Sequence, residues 1–300
     1  MKVKGIVFVL LGAGSFGFTP IFVKTGFEYG YSLGQINMVQ MLLAFVLLWG
    51  MSLVNGLKIK NLSKSDFIKV MFTGTAMGLT SVFYYGSMQY LTASLAIILL
   101  FQFVWIGMIY EWIFSKIRPT VMNFLALFVT LTGVVFASNI IAGDVSDLHP
   151  VGLILGLLAA ASYAGFIFFS GQVATRSHPI IRSSLMVTGS TILVLIVFFQ
   201  DIPSLNPTDG RLWLLGAGLA LVGGVIPTLF FAKGAPLITG RLANVLSAIE
   251  LPVAIISAMM VLSESVSLLQ WIGVLLIVVA IMINELGDAL KKGKAVANHD

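Results

Sequence analysis

The chain has 300 residues, 58% of them apolar and 10% charged, with a mean hydropathy of +1.03 and a net charge of +5. This composition excludes a water-soluble globular protein and predicts an all-α polytopic membrane protein. Cysteine is absent, which excludes disulfides, thiolate metal sites and cysteine nucleophiles, and we expect neither a metal nor a cofactor.

Ten apolar stretches follow one another and fill almost the entire chain. A helix rises about 1.5 Å per residue, so about 20 apolar residues cross the ~30 Å hydrocarbon core of a bilayer. The first stretch follows Lys2 and Lys4 but lacks the small-residue cleavage pattern of a signal peptide, so we expect it to stay uncleaved. We therefore predict ten transmembrane helices, over residues 4–25, 33–54, 67–90, 92–114, 119–139, 150–172, 180–200, 211–232, 240–262 and 268–286.

A constant offset of 148 residues relates the two halves of the chain, so that Gly17-Phe18 falls on Gly165-Phe166 and Gly86 falls on Gly234. Five helices in each half is an odd number, so the second half should enter the membrane inverted relative to the first. Inverted repeats are typical of secondary transporters. We predict two five-helix repeats and a cytoplasmic tail, with the boundaries 1–143, 144–287 and 288–300.

The basic residues are sorted by side of the membrane. With ten helices, 15 of the 17 Lys and Arg residues fall on one side, and only Lys24 and Arg211 fall on the other. The positive-inside rule then places both termini in the cytoplasm and the protein in the cytoplasmic membrane. This sorting also argues against nucleic acid as a partner. The opposite side carries acidic residues that we expect in solvated loops, which are Glu28, Asp144, Asp147, Asp201, Asp209 and Glu264.

Glu250 is the only acidic residue predicted near the middle of a helix. An isolated carboxyl group in hydrocarbon favours its neutral form and can release a proton when water enters. Ser247 and Ser257 share its helix face, and Pro252 cannot donate to the carbonyl of Ala248. We predict that Glu250, with Ser247, binds substrate or a proton. The alternative is a protonated glutamate that bonds to a neighbouring helix.

Further polar residues are predicted at a similar depth. At the repeat offset Gln102 is equivalent to Glu250, and we expect it to line the cavity as a polar binding group without charge or kink. Trp105 shares the face of Gln102, and it either lines the cavity with it or packs against a neighbouring helix. Four more residues are candidates for a cavity, with interhelical packing as the alternative; they are Asn37, Gln40, Tyr85 and Tyr163. Kinks that suit gating are predicted at Pro20, Pro227 and Pro252.

Several motifs resemble those of a known family. They are Gly12 to Pro20, Leu95-Ala96 through Val104, Leu242-Ala243, Glu250, Pro252, and Leu262-Ser263-Glu264-Ser265 leading to Gln270-Trp271-Ile272-Gly273. Over residues 4–286 the chain resembles the EamA-type transporters of the drug/metabolite transporter superfamily. The resemblance implies ten helices around a central cavity and the export or exchange of small metabolites. The chain departs from the family at Gln40, where many relatives carry arginine.

No Lys or Arg is predicted deep within a helix, so a phosphorylated substrate would have no counter-charge. We expect a secondary transporter, an exporter or exchanger, of a small neutral, zwitterionic or aminated metabolite such as an amino acid or a derivative. It would work by alternating access around a cavity bounded by the second, fourth, sixth and ninth helices. A non-coupled channel, or a membrane receptor or scaffold, is the alternative.

An intramembrane enzyme is not expected. All three histidines lie outside the predicted helices, so no serine in the membrane has a histidine base at its depth; they are His149, His178 and His299. The expected partners are the lipid bilayer and the small-molecule substrate. The sequence leaves open whether transport is coupled to protons, in which direction it runs, and whether the protein forms a homodimer.

Overall fold

The computed structural model describes residues 1–57, 62–91, 93–137, 149–262 and 266–297, and all regular elements in these ranges are helical. The α-helices are α1 (Lys2–Phe16), α2 (Thr19–Glu28), α3 (Leu33–Val54), α4 (Lys64–Ser87), α5 (Ala93–Leu100), α6 (Phe103–Ser115), α7 (Val121–Ala137), α8 (Pro150–Ser170), α9 (Pro179–Val197), α10 (Gly210–Ala220), α11 (Ile226–Gly234), α12 (Gly240–Ser247), α13 (Glu250–Leu262) and α14 (Leu268–Ala297). Residues used in the sequence interpretation that lie outside the described ranges are Lys58, Lys60, Asp144, Asp147, Ser263, Glu264, Ser265 and His299.

These helices form ten consecutive spans, as predicted. Eight are long and apolar enough to cross a membrane: Lys2–Glu28, Leu33–Val54, Lys64–Ser87, Leu95–Ser115, Pro150–Ser170, Pro179–Val197, Gly210–Leu237 and Gly240–Val261. Shorter apolar helices, Val121–Ala137 and Leu268–Ile283, occupy the fifth and tenth places. The chain is therefore an all-α polytopic membrane protein. The last helix, α14, continues to Ala297, so most of the predicted tail from residue 288 is helical.

The packing of the spans repeats between the two halves. Equivalent spans pack on each other in three cases: α7 on α14, α3 on α9, and α6 on α12. The other large contacts come in pairs that the repeat relates. The third span packs on the sixth (α4 on α8) as the eighth packs on the first (α11 on α1). The third span also packs on the seventh (α4 on α9) as the eighth packs on the second (α10 on α3). Exchanging the halves leaves this pattern unchanged. Such symmetry is what two copies of one five-helix unit produce when they pack together.

One close helix crossing in this arrangement joins α4 to α9. A Cβ atom added at Gly74 would collide with the backbone of Met186, and one added at Gly189 would collide with the backbone of Met71. The hydroxyl of Ser190 donates a hydrogen bond of 2.6 Å to the carbonyl of Gly74 across the crossing. Small residues allow helix backbones to approach this closely in membranes, where packing rather than water drives association.

Gly74→Ala is expected to lower the free energy of unfolding by about 1–3 kcal/mol, because the added methyl group forces the two backbones apart. The matched control is Gly50→Ala near the C-terminal end of α3, where an added Cβ meets nothing within 4 Å. Thermal melting in detergent should separate the two variants. Equal melting temperatures for both would contradict the close crossing.

The loops at the predicted outer end are joined through Tyr31 and Asp209. The hydroxyl of Tyr31 donates to the two carboxylate oxygens of Asp209, at 3.1 and 3.0 Å. The same carboxylate starts α10 by accepting hydrogen bonds from the backbone N–H groups of Leu212 and Arg211. These hydrogen bonds, that of Leu212 first, hold the pKa of Asp209 below its usual range. The contact ties the loop before α3 to the loop before α10.

Asp209→Asn is expected to lower the melting temperature at neutral pH but not in acid. Because the pKa of Asp209 is lowered in the folded state, its contribution is present above the unfolded pKa and is lost as the pH falls through the folded pKa. Melting curves of wild type and variant, recorded from neutral pH downward, should therefore converge at the acid end. A gap that is independent of pH would refute this account.

Candidate functional site

A small cavity of about 30 Å³ lies between the two halves, near the middle of the spans. The first half contributes residues of α1, α2, α3, α4 and α5, and the second half contributes residues of α8, the π-helical turn Leu221–Val225 and α13. All four spans that were predicted to bound the cavity take part, and the first, third and eighth spans also do. We call the lining residues the cavity wall; they are Phe16, Thr19, Gln40, Met41, Met77, Thr80, Ser81, Tyr84, Tyr85, Leu100, Tyr163, Gly223 and Glu250.

Two of the contributing spans are interrupted at equivalent positions beside the cavity. The fourth span breaks between α5 and α6, and the ninth span breaks between α12 and α13. The breaks leave Gln102 just before α6 and Glu250 at the first turn of α13, which matches the 148-residue offset between the halves. Short-range hydrogen bonds replace the helical pattern there, such as Gln102 N to Leu99 O at 3.1 Å and Ile249 N to Leu246 O at 3.2 Å. The prediction of an unkinked first half at Gln102 was wrong.

The three predicted kink prolines lie just after interruptions. Pro20 is in the first turn of α2, Pro227 is in the first turn of α11 after the π-helical turn, and Pro252 is in the first turn of α13. The first turn of a helix has no internal acceptors for its N–H groups, so proline is tolerated there at little cost. These prolines therefore begin new helical segments instead of bending continuous helices.

Glu250 places its carboxyl group in the cavity, and its residue is only 7% exposed. The hydroxyl of Tyr163 on α8 donates to Oε2 of Glu250 at 3.0 Å. The ring of Tyr163 is held edge-on by Phe16 and by Phe103, with centroids 5.5 and 4.8 Å away. Among the described residues of the cavity wall, Glu250 is the only one that carries an ionisable acid or base other than tyrosine.

Gln40 connects the second span to the π-helical turn of the eighth. Its Nε2 donates to the carbonyl of Gly223 at 3.2 Å, and the hydroxyl of Tyr85 donates to its Oε1 at 3.4 Å. A π-helical turn disturbs the regular i→i−4 ladder and is common at functional sites. Gln40 thus both lines the cavity and compensates for the irregular backbone, at the position where many relatives were expected to carry arginine.

The structure places the other four predicted binding residues outside the cavity wall. Gln102 and Trp105 bond to each other, with Trp105 Nε1 donating to Gln102 Oε1 at 2.8 Å. Asn37 is fully buried and donates to the carbonyl of Leu33 at 3.0 Å, and Ser247 donates to the carbonyl of Ala243 at 2.8 Å. Of the predicted residues, the cavity brings together Gln40, Tyr85, Tyr163 and Glu250.

A buried ion pair at the predicted cytoplasmic end was not anticipated. Arg241 on α12 places Nε 2.8 Å from Oε2 of Glu111 on α6, and both side chains are at most 5% exposed. Arg241 also donates to Asn123 on α7. From the sequence, Arg241 is predicted only as a cytoplasmic charge, because the residue falls at the edge of an apolar stretch. The pair joins the first half of the chain to the second.

A second buried arginine, Arg182, donates hydrogen bonds to backbone carbonyl groups. Arg182 on α9 is 1% exposed and donates to the carbonyl of Ala232 at 2.8 Å and to the carbonyl of Ser170. The carbonyl groups it satisfies are at the ends of α8 and α11, where the helices leave acceptors without internal donors. Both buried arginines lie near helix ends and neither belongs to the cavity wall in the part of the chain that the structure describes.

Ten apolar spans arranged as two matching sets around a cavity define a polytopic α-helical membrane protein. The chain belongs to the EamA-like transporter family, which it matches twice, over residues 3–139 and 150–285. Each match covers five of the ten spans. This confirms the resemblance inferred from the sequence motifs.

Named relatives agree with this family. The chain is 24% identical over 301 residues to a Salmonella typhimurium protein named "Uncharacterized inner membrane transporter YicL", covering 97% of this chain and 98% of that protein. It is 24% identical over 219 residues to "Uncharacterized transporter sll1319" of Synechocystis, covering 71% of this chain and 65% of that protein. A protein of known crystal structure shares the fold, with a TM-score of 0.77, 12% identity, and coverage of 95% of this chain and 98% of that one.

Proposed function

We propose that the protein is a secondary transporter that moves a small neutral, zwitterionic or aminated metabolite by alternating access. The observation that carries this proposal is the cavity between the halves, in which Glu250 stands at the break of the ninth span. Sites of secondary transporters are formed near the membrane midplane by discontinuous helices at the interface of their repeats. Both features occur together here.

Contacts between the halves at both ends of the molecule favour a carrier over a channel. Arg241 and Glu111 join them at the predicted cytoplasmic end, and Tyr31 and Asp209 join them at the predicted outer end. A carrier needs such contacts, because each must open in turn while the other stays closed. A channel would need a continuous path past both.

The charge of the cavity wall favours an amino group over a phosphate group. Glu250 supplies one carboxyl group, and no Lys or Arg lines the cavity in the described part of the chain. A phosphorylated substrate would place two negative charges beside this carboxyl group without any counter-charge, which costs several kcal/mol in a site of low polarity (roughly the effective penalty per buried ion). An ammonium group would instead gain a charge-assisted hydrogen bond.

Proton antiport and simple exchange both fit a single carboxyl group. In antiport, a proton and the substrate compete for Glu250, whereas exchange needs no ion. We propose export or exchange across the cytoplasmic membrane, with both termini in the cytoplasm as the charge sorting indicates.

Counterflow in proteoliposomes tests this function. Vesicles that contain the purified protein and an excess of unlabelled metabolite should take up labelled metabolite transiently and saturably, while protein-free vesicles should not. A panel of amines, amino acids, sugars and sugar phosphates identifies the class. Flux confined to sugar phosphates would refute the proposed substrate class. Flux that neither saturates nor exchanges would indicate a channel, and binding without flux would indicate a receptor.

A further inference from the structure

The hydrogen-bond donors of the cavity wall are almost all engaged by the protein itself. The hydroxyl groups of Thr19, Thr80 and Ser81 donate to backbone carbonyls of their own spans, at 2.7 to 2.9 Å. The Gln40 amide uses one of its two N–H groups for a hydrogen bond of 3.2 Å to the carbonyl of Gly223. The hydroxyl of Tyr163 donates to Glu250. A ligand carboxylate accepts hydrogen bonds and donates none, so these groups offer it little.

Acceptors, by contrast, remain available in the same cavity. The carboxyl group of Glu250 receives the Tyr163 hydrogen bond on Oε2, and within the described residues none reaches Oε1. Tyr84 is 4% exposed and lines the cavity, and its hydroxyl makes no hydrogen bond to the described residues. One carboxylate oxygen, which only accepts, and the Tyr84 hydroxyl, which can accept or donate, are therefore left for a ligand. An ammonium group, which has three donors and no acceptor, matches this set.

The remaining surface of the cavity suits an apolar body. Phe16, Tyr84 and Tyr163 contribute aromatic rings, and Met41 and Met77 contribute flexible thioethers. Aromatic faces attract organic cations, and methionine adapts to ligands of differing shape. The cavity of about 30 Å³ has room for about two water molecules in this conformation, so it must widen to admit the body of a ligand.

We infer that the cavity selects a protonated organic amine that carries no carboxylate. The ammonium group bonds to Oε1 of Glu250 and to the hydroxyl of Tyr84, and the apolar body lies against the rings and methionines of the wall. This inference rests on the proposed function and narrows it, because amino acids, although aminated, also bring a carboxylate for which the cavity has almost no free donor.

Binding of matched compounds tests the inference. The set is 2-phenylethylamine, phenylalanine and 3-phenylpropionate, which share one aromatic body and differ only in their charged groups. A second set of hexylamine, norleucine and hexanoate removes the aromatic ring. Titration calorimetry on the purified protein in detergent should show each amine binding about tenfold or more tightly than its amino acid, as expected for an uncompensated buried carboxylate, and no binding of either acid.

The variant Tyr84→Phe keeps the ring and removes the free hydroxyl, so amine affinity should fall about threefold to tenfold. The matched control is Tyr110→Phe, which removes a hydroxyl that bonds to the carbonyl of Ala161 at 3.2 Å outside the cavity wall and should leave amine affinity unchanged. Equal losses in both variants would contradict a ligand contact at Tyr84.

Failure of this inference can be told apart from failure of the proposed function. Amino acids that bind as tightly as their amines, or amines that do not bind in either set, overturn the inference. If amino acid counterflow is then observed, the transporter proposal stands. If the amines bind with the expected preference but no compound shows counterflow, the site assignment holds and the proposed transport function is wrong.

Discussion

Glu250→Gln is expected to abolish saturable counterflow and to weaken amine binding by about tenfold to a hundredfold, because a charge-assisted hydrogen bond to the ligand is lost. Glutamine has nearly the same shape, and its carbonyl oxygen can still accept from the hydroxyl of Tyr163, so the cavity should stay intact. Counterflow in proteoliposomes and calorimetry in detergent measure the two effects separately.

The control for this variant is Glu28→Gln, which removes a carboxylate from an exposed residue at the end of α2. It should transport and melt like the wild type. Counterflow needs no ion gradient, so a variant that is merely uncoupled from protons would retain exchange while losing uptake driven by a pH gradient. Wild-type behaviour of Glu250→Gln in both assays would remove Glu250 from the site.

Glu111→Ala is expected to lower the free energy of unfolding by about 3–5 kcal/mol, because it leaves the Arg241 charge buried without its carboxylate. The two side chains are 2% and 5% exposed, so water cannot readily replace the missing partner. Chemical or thermal unfolding in detergent measures the loss. Proper insertion should be checked by size-exclusion chromatography, since a severe defect would also reduce the yield of folded protein.

The double variant Glu111→Met with Arg241→Met tests whether the two side chains stabilise the protein as a pair. Replacing both members of a buried ion pair by apolar residues of similar volume is often neutral, whereas removing one member is costly. We therefore expect the double variant to recover most of the lost stability. If its loss equals the sum of the losses in the single variants Glu111→Met and Arg241→Met, the pair does not act as a unit.

The spans could be predicted because lipid imposes strong rules on them. The backbone must satisfy its own hydrogen bonds in hydrocarbon, so long apolar stretches become helices, and Lys2 to Ile283 follows that rule closely. Glu250 and Tyr163 could be assigned to the cavity because each is predicted to place a polar group within a span, where lipid offers no hydrogen-bond partner. Neither inference needed knowledge of how the spans pack.

Other features depend on how the helices pack and could not be predicted from the sequence. The break before α6 carries no proline or glycine, so nothing local marked it. Tyr84 and Tyr85 are neighbours, and helical periodicity does not predict that both reach the same cavity. The partners Glu111 and Arg241 are far apart in the chain, and their pairing arises only when α6 meets α12.

The interruptions in the fourth and ninth spans have a mechanical consequence. A continuous helix transmits a change of tilt from one end to the other, but a helix divided in its middle does so weakly. The segments α5 and α13 can therefore keep their orientation while α6 and α12, which hold the Glu111–Arg241 pair, swing apart. The part of the protein at the predicted cytoplasmic end can therefore loosen while the part at the predicted outer end keeps its packing.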